Sequence, residues 1–146
     1  MSIISFAPKY AEETVNMWRD SKYEAIGLEE SHSFESHVYF LNHILSKEFQ
    51  IDIALVDEKV AGIIAYNDFH ISQLYIHIAY QGLGIGKRLL EKAKEQSAGK
   101  LTLYTFEVNK KAQQFYERNG FEIVGRGHEN EENLPDILYA WTAEKL

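Results

Sequence analysis

A glycine-rich stretch in the middle of the chain places the strongest constraint on its fold. Residues 81–87, Gln-Gly-Leu-Gly-Ile-Gly-Lys, follow the apolar run 74–78 and precede the amphipathic segment 87–94. Because the first pattern is typical of a strand and the second of a helix, the glycines predict a tight strand-to-helix turn. A helix start after such a turn exposes unpaired N–H groups and the positive end of the helix dipole. The stretch therefore predicts an anion site, most often one for phosphate.

The sequence of this stretch does not match either of two familiar phosphate-binding loops. A nucleoside-triphosphate P-loop requires Gly, four residues and then Gly-Lys-Ser/Thr, but Gln81 stands at the first Gly and Arg88 at the Ser or Thr. A dinucleotide fingerprint requires Gly-x-Gly-x-x-Gly, and Lys87 stands at its third glycine. A plain turn seldom needs three alternating glycines. The pattern that remains is Gln-x-x-Gly-x-Gly.

Composition narrows the classes of protein to which the chain can belong. Its 146 residues, 45% hydrophobic and 25% charged, are typical of one folded domain spanning residues 1–146. There is no cysteine, which excludes disulfides and thiol nucleophiles. The net charge of −7 argues against nucleic acid as the main partner and is compatible with a cationic substrate. The sequence has no membrane-span or signal-peptide pattern, which predicts a cytoplasmic protein.

The remaining patterns predict helices and strands on both sides of the glycine loop. Strands are expected over 3–6, 51–55, 60–66, 74–78, 101–106, 121–126 and 137–141, and helices from residue 8 to about 21–23, over 34–45, after the glycine loop and over 109–119. The strand, helix and strand between 74 and 106 form a βαβ unit, so these two strands are expected to be parallel. Asn109 is a natural N-cap and Gly120 a left-handed helix stop, after which Phe121 is expected to fold back near Tyr116.

The glycine loop and the last helix together resemble a known family. Gln81-x-x-Gly84-x-Gly86 after a strand, then Asn109-x-x-Ala112-x-x-Phe115-Tyr116-x-x-x-Gly120-Phe121, is similar to the GCN5-related N-acetyltransferases, or GNAT family. The order of elements also resembles that family across essentially the whole chain. The resemblance implies an α/β (α+β) fold, with a mixed, mostly antiparallel sheet of about six to seven strands. Its central parallel pair would be splayed apart, and about four helices would flank the sheet.

The resemblance also implies acetyl-coenzyme A as cosubstrate and acyl transfer to an amine of a small molecule, peptide or protein. Backbone N–H groups of residues 82–87 would hold the pyrophosphate, and exposed backbone of residues 74–76 would pair with the pantetheine arm. An N–H near Ile76 would polarise the thioester carbonyl. The implied cofactor-binding residues are Leu74, Tyr75, Ile76, Gln81, Gly82, Leu83, Gly84, Ile85, Gly86, Lys87, Asn109, Ala112 and Phe115.

Tyr116 stands at the position of the family's proton-donating tyrosine. Its phenol is therefore expected to protonate the leaving sulfur as general acid. Packing at the helix end is its alternative role, as helix capping is for Asn109. One departure is Ile78, where many family members carry proline.

The general base stays open among Asp68, His70, His77, Glu107 and water. His32, His37 and His43 lack the spacing of metal ligands, and no metal is assigned.

The alternative function is a non-catalytic coenzyme A-binding sensor or partner domain of the same fold. Tyr116 favours the enzyme, because a sensor needs no proton donor. The acceptor is expected to depend on residues 27–45 and on the loop before Ile137. The final strands, with Tyr139 and Trp141, suggest a homodimer.

Overall fold

Seven strands form one mixed sheet in the computed structural model, which describes residues 1–143. The strands are β1 (Ser2–Ser5), β2 (Gln50–Val56), β3 (Lys59–Tyr66), β4 (His70–Ile76), β5 (Lys100–Phe106), β6 (Glu122–Gly127) and β7 (Asp136–Thr142). Their spatial order is β1-β2-β3-β4-β5-β7-β6. Strands β4 and β5 run parallel, and the other neighbours are antiparallel. The predicted fold class is confirmed.

Helical segments cover both faces of this sheet. They are α1 (Ala11–Ile26), α2 (Phe34–Phe40), which continues as a π-helix (Leu41–Leu45) and then α3 (Ser46–Glu48), α4 (Ile85–Gln96) and α5 (Lys110–Arg118). One core lies between the sheet and the α1 to α3 side, and a second lies under α4 and α5. Among the helices of residues 1–143, none has the length and apolar character needed to cross a membrane.

A bulge in β4 separates the parallel pair. Ala65 pairs with Gln73 and Tyr66 with Ile71, so Ser72 is an extra residue in β4. A bulge of this kind bends the strand that carries it. Strand β4 accordingly pairs with β5 only at His70 and Ile71, and it diverges beyond them. The gap that follows is the splayed pair that the family resemblance implied.

The same bulge explains why the predicted bounds of β4 were wrong. Strand β4 begins at His70, within a segment predicted as a connection, because Ile71 and Leu74 both face the same core and break the period-two pattern. It ends at Ile76 rather than Ile78. The His77 imidazole accepts a hydrogen bond from the Ala79 N–H at 3.2 Å and begins a short 3-10 helix.

The two β7 aromatic residues that suggested a homodimer pack within the chain. Tyr139 is fully buried, and its hydroxyl donates to Glu117 at 2.7 Å. The Trp141 ring packs against Phe121, and the Lys94 ammonium lies 5.0 Å from its centroid. These side chains therefore stabilise the end of α5.

Candidate functional site

A cleft of about 730 Å³ opens where β4 diverges from β5. Its walls come from β4, the glycine loop, the start of α4, helix α5 and the C-terminal part of α1. A smaller opening of about 60 Å³ is lined by β4 and β5. Five residues line both openings and mark where they meet: Leu74, Tyr75, Asn109, Ala112 and Tyr116.

Nearly every predicted site residue lies on this cleft. Tyr116 lines it, as do all the predicted cofactor-binding residues except Leu83. The Leu83 side chain points outward and is 64% exposed. The loop glycines and the tyrosine helix, about 30 residues apart in the sequence, therefore face one space.

The three loop glycines have two different physical roles. Gly82 and Gly84 have φ of 82° and 81°, in the left-handed region that side chains disfavour. Gly86 is instead favoured by packing, because a Cβ there would lie 3.3 Å from the Phe115 ring, a tight contact that the ring would have to relieve by a small shift. The first bond of α4 runs from the Arg88 N–H to the Gly84 carbonyl at 3.1 Å. Preceding N–H groups in this turn have no helical partner, so they can receive an anion.

The end of β4 presents one edge of its backbone to the gap. The His77 N–H donates to the Ala61 carbonyl at 2.9 Å, across an antiparallel pair. Hydrogen-bonded and non-hydrogen-bonded pairs alternate, so the N–H of Ile76 points away from β3 and toward the gap. The Gln81 amide donates to the Ile76 carbonyl at 3.0 Å and thereby holds the glycine loop against the strand end.

Local sequence signals place Tyr116 in the cleft. The Asn109 side chain caps α5 by accepting from the Ala112 N–H at 3.2 Å, as predicted. At the other end Gly120 has φ of 90°, and the Phe121 N–H donates to the Tyr116 carbonyl at 3.0 Å. This Schellman-type stop brings the Phe121 ring to 5.7 Å from Tyr116, the predicted fold-back.

The environment of Tyr116 favours a protonated phenol. The side chain is 6% exposed, and the rings of Phe115, Phe121 and Tyr139 surround it. Burial, followed by the neighbouring Tyr75, raises the pKa of Tyr116 above its ordinary value. Within residues 1–143 its hydroxyl has no hydrogen-bond partner, which leaves the O–H free to donate to a molecule in the cleft.

The charges on the cleft are distributed unevenly. Lys87, Lys110, Lys111 and Arg118 line it, and Glu24 of α1 is the acid among the described lining residues. Four cations around a glycine loop suit a ligand that carries several phosphates. The α5 cations were not assigned from the sequence, although helical spacing places 110, 114 and 118 on one face.

The four predicted base candidates lie outside the cleft lining. His70 bonds Thr102 at 2.8 Å where β4 begins, about 20 Å from Ile76 at the usual rise of ~3.3 Å per residue. Asp68 precedes it at the same end. His77 caps its 3-10 helix, and Glu107 pairs with Arg126 at 2.6 Å.

Within the described chain, no three His, Asp or Glu side chains converge as metal ligands.

Comparison with known proteins identifies the class. The acetyltransferase (GNAT) domain model matches residues 7–140. The peptidyl-lysine N-acetyltransferase YjaB of Salmonella typhimurium is 29% identical over 130 residues, covering 85% of each chain. The solution structure of apo YjaB from Escherichia coli superposes with a TM-score of 0.76 at 22% identity, covering 98% of each chain. The PaiA N-acetyltransferase of Thermoplasma acidophilum, solved with coenzyme A, gives 0.72 at 20% identity, over 97% and 99% of the chains.

The chain belongs to the GNAT acetyltransferase family. It is an N-acetyltransferase whose cosubstrate is acetyl-coenzyme A. The site fits that cosubstrate: free N–H groups and four cations suit its phosphates, and the open edge of β4 suits the amides of its pantetheine arm.

Proposed function

We propose that this protein transfers an acetyl group from acetyl-coenzyme A to a primary amine by direct attack on the thioester, with Tyr116 as general acid. The observation that carries the proposal is the buried Tyr116 phenol, which lines the cleft at the point where β4 leaves β5. The proposal retains the sequence prediction of one acetyltransferase domain over residues 1–146, acting in the cytoplasm.

The glycine loop and β4 hold the donor in this proposal. N–H groups of residues 82–87 receive the pyrophosphate, while Lys87, Lys110, Lys111 and Arg118 supply cations around it. The backbone of residues 74–76 pairs with the arm that runs into the gap. The Ile76 carbonyl already accepts a hydrogen bond from the Gln81 amide, so the Ile76 N–H is the backbone group left for the ligand.

Two groups of the chain act on the reacting atoms. When bound, acetyl-coenzyme A supplies the acetyl thioester that a neutral amine attacks, the C–N bond forming as the C–S bond breaks. The Ile76 N–H donates to the carbonyl oxygen as negative charge develops there, a role often worth about 3 kcal/mol. The Tyr116 O–H gives its proton to the departing sulfur and recovers one from solvent afterwards.

Water accepts the proton that the attacking amine loses. The predicted side-chain bases are committed elsewhere: His77 to its helix cap and Glu107 to Arg126. The cleft is open to solvent beside α1, so an ordered water has access to it. Glu24, the acid on that wall, is exposed and can receive the proton through such a water.

We infer that a peptide lysine is the first acceptor to test. The Salmonella relative is named as a peptidyl-lysine N-acetyltransferase, and the two chains align over 85% of each. A lysine side chain also has the length to bring its amine into the cleft.

The test is a thiol-release assay with acetyl-coenzyme A and a panel of lysine peptides, N-terminal amines and small amines. Release of coenzyme A that depends on one acceptor class, and that falls in Tyr116→Phe, supports the proposal. Tight binding of acetyl-coenzyme A with no release for any amine would identify a sensor instead. Absence of any binding would contradict both functions.

A further inference from the structure

Lys22 joins two separate loops beside the cleft. Its ammonium lies 3.2 Å from Glu30 and 2.6 Å from Glu132. Glu30 belongs to the helix-side loop (residues 27–33), which follows α1. Glu132 belongs to the strand-side loop (residues 128–135), which connects β6 to β7. The Lys22 side chain is 12% exposed, and those of Glu30 and Glu132 are 9% and 18% exposed.

The electrostatics of this cluster show that it is a mutual charge pairing. Burial alone would lower the pKa of Lys22, but the hydrogen bonds and charges of Glu132 and Glu30 outweigh burial and raise it. Burial would raise the pKa of Glu30, and Lys22 outweighs it and lowers that pKa. Such a cluster stays ionised at neutral pH, and removing one member leaves uncompensated charge in a poorly hydrated place.

The cluster lies beside the cleft, next to residues that line it. Lys22 sits on α1 between the cleft-lining residues Ser21 and Glu24. Burial raises the pKa of the Tyr75 phenol, and the nearby charges of Lys22, Glu132 and Glu30 modify that shift. Burial also raises the pKa of Tyr116, with a further contribution from Tyr75. Tyr75 and Tyr116 both line the two openings. The cluster is therefore adjacent to the end of the cleft that holds the proton donor.

Hydrogen bonds within the strand-side loop hold its conformation. The contact with Lys22 therefore determines where the loop lies rather than how it is folded. The Asn130 amide donates to the Leu134 carbonyl at 2.8 Å and to Asp136 at 3.1 Å, and it accepts from the Leu134 N–H. A second link between the loops, His32 to Glu131 at 3.3 Å, is well exposed and is expected to be weak. Lys22 is the buried link.

We propose that Lys22 is a positioning residue that sets acceptor specificity, by clamping the two loops together and neutralising the carboxylates of Glu30 and Glu132 beside the cleft. This inference rests on the proposed function. The chain's net negative charge is therefore not by itself evidence of free carboxylates that would bind a cationic acceptor. Glu30 and Glu132 are already paired with an internal ammonium, so a cationic acceptor does not find them free.

The test compares Lys22→Met, Lys22→Arg and Glu132→Gln with Lys47→Met, which removes an exposed lysine on α3 away from the cleft. In Lys22→Met we expect the acceptor KM to rise about tenfold, with KM for acetyl-coenzyme A changed less than about twofold. Lys22→Arg keeps the charge and is expected to restore most of the acceptor KM. Because each variant removes the same contact, Lys22→Met and Glu132→Gln should be markedly non-additive.

Other results would contradict the role of Lys22. An unchanged acceptor KM in Lys22→Met, equal losses for acceptor and acetyl-coenzyme A, or strictly additive variants would overturn the inference. If Lys22→Met does not fold, the more exposed Glu132→Gln must still raise the acceptor KM alone. If the wild type acetylates no amine, the proposed function fails. The link between the loops is then tested by hydrogen exchange. If amides of residues 128–135 exchange no faster in Lys22→Met than in the wild type, the inference is refuted.

Discussion

The two ends of the cleft are built in opposite ways. The donor end consists of β4, the glycine loop and α5, where backbone N–H groups are presented by turns and caps within short segments. In the proposed function the acceptor end is formed by the helix-side and strand-side loops, which are joined by the Lys22–Glu132 pair, 110 residues apart. The donor end is cationic, and the acceptor end is acidic with Lys22 paired inside it.

This difference predicts different sensitivities in the two regions. A donor site made of backbone groups tolerates many side-chain changes, but it depends on glycine where the chain turns. An acceptor mouth held by an ion cluster depends on individual charges, and a single substitution there can change its shape. Variants in one region should therefore leave the other region's ligand affinity largely intact.

The largest expected effect lies at the boundary between the two regions. Tyr116→Phe removes the proposed proton donor and should reduce kcat about 100-fold, within the usual range for general-acid catalysis. Affinity for acetyl-coenzyme A, measured by calorimetry, should stay within about twofold. Tyr139→Phe is the matched control, because that hydroxyl is bound to Glu117 and should be dispensable for turnover. Equal activity of Tyr116→Phe and wild type would remove Tyr116 from the chemistry.

At the donor end, the backbone conformation of the glycine loop is expected to decide affinity. Gly84 has φ of 81°, and a β-branched residue in that conformation costs roughly 1–3 kcal/mol. Gly84→Val should therefore weaken coenzyme A binding by about tenfold or more, because the loop N–H groups turn away. Gly99→Ala, which also replaces a left-handed glycine but lies outside the cleft lining, should bind normally. Normal binding by Gly84→Val would show that side chains, rather than the loop backbone, hold the ligand.

The cations of α5 should contribute less than the loop. Lys110→Gln/Lys111→Gln should weaken coenzyme A binding about fivefold and flatten its dependence on salt, since exposed charges are screened. Lys47→Gln/Lys59→Gln removes the same charge away from the cleft and controls for net charge. If the affinity of the α5 variant for coenzyme A depended on salt as strongly as that of the wild type, the phosphates would not lie beside Lys110 and Lys111.

The smallest expected effect is a pH dependence of stability that arises in α2, the helix that follows the helix-side loop. Burial lowers the pKa of His37 from 6.5 to about 4; Glu30 opposes this shift, and the charges of Arg19, Lys22 and His32 add to it. The unfolded chain therefore takes up this proton first as pH falls, and stability is lost between pH 6.5 and 4. We expect the melting temperature to fall by a few degrees from pH 7 to 5.

His37→Gln should reduce that fall, and His43→Gln, at an exposed position, should not. Identical pH profiles for all three proteins would show that His37 is not buried as described.

The donor end could be predicted because its signals are local. Three alternating glycines, an N-cap at Asn109 and a helix stop at Gly120 each determine the backbone of the few residues around them. These segments meet because the strand–helix–strand unit places β4 and β5 side by side. Tyr116 could therefore be assigned to the cleft before the structure was known.

The two loops of the acceptor end were expected from the sequence, but the ion cluster that joins them could not be predicted, because nothing local connects Lys22 to Glu132. Their pairing depends on how the two loops pack against each other. The sequence of each loop alone indicates only solvent-exposed acidic side chains. The bulge at Ser72 was missed for a related reason: it is defined by the register with β3, which the β4 sequence does not contain.

The most direct test of this account is backbone amide NMR of the protein titrated with coenzyme A. We predict large shifts for residues 82–87, for Ile76 and along α5, with residues 27–33 and 128–135 changing little. This pattern would show that the donor site is formed without the acceptor loops. Shifts concentrated in those two loops, with the glycine loop unaffected, would contradict the central claim.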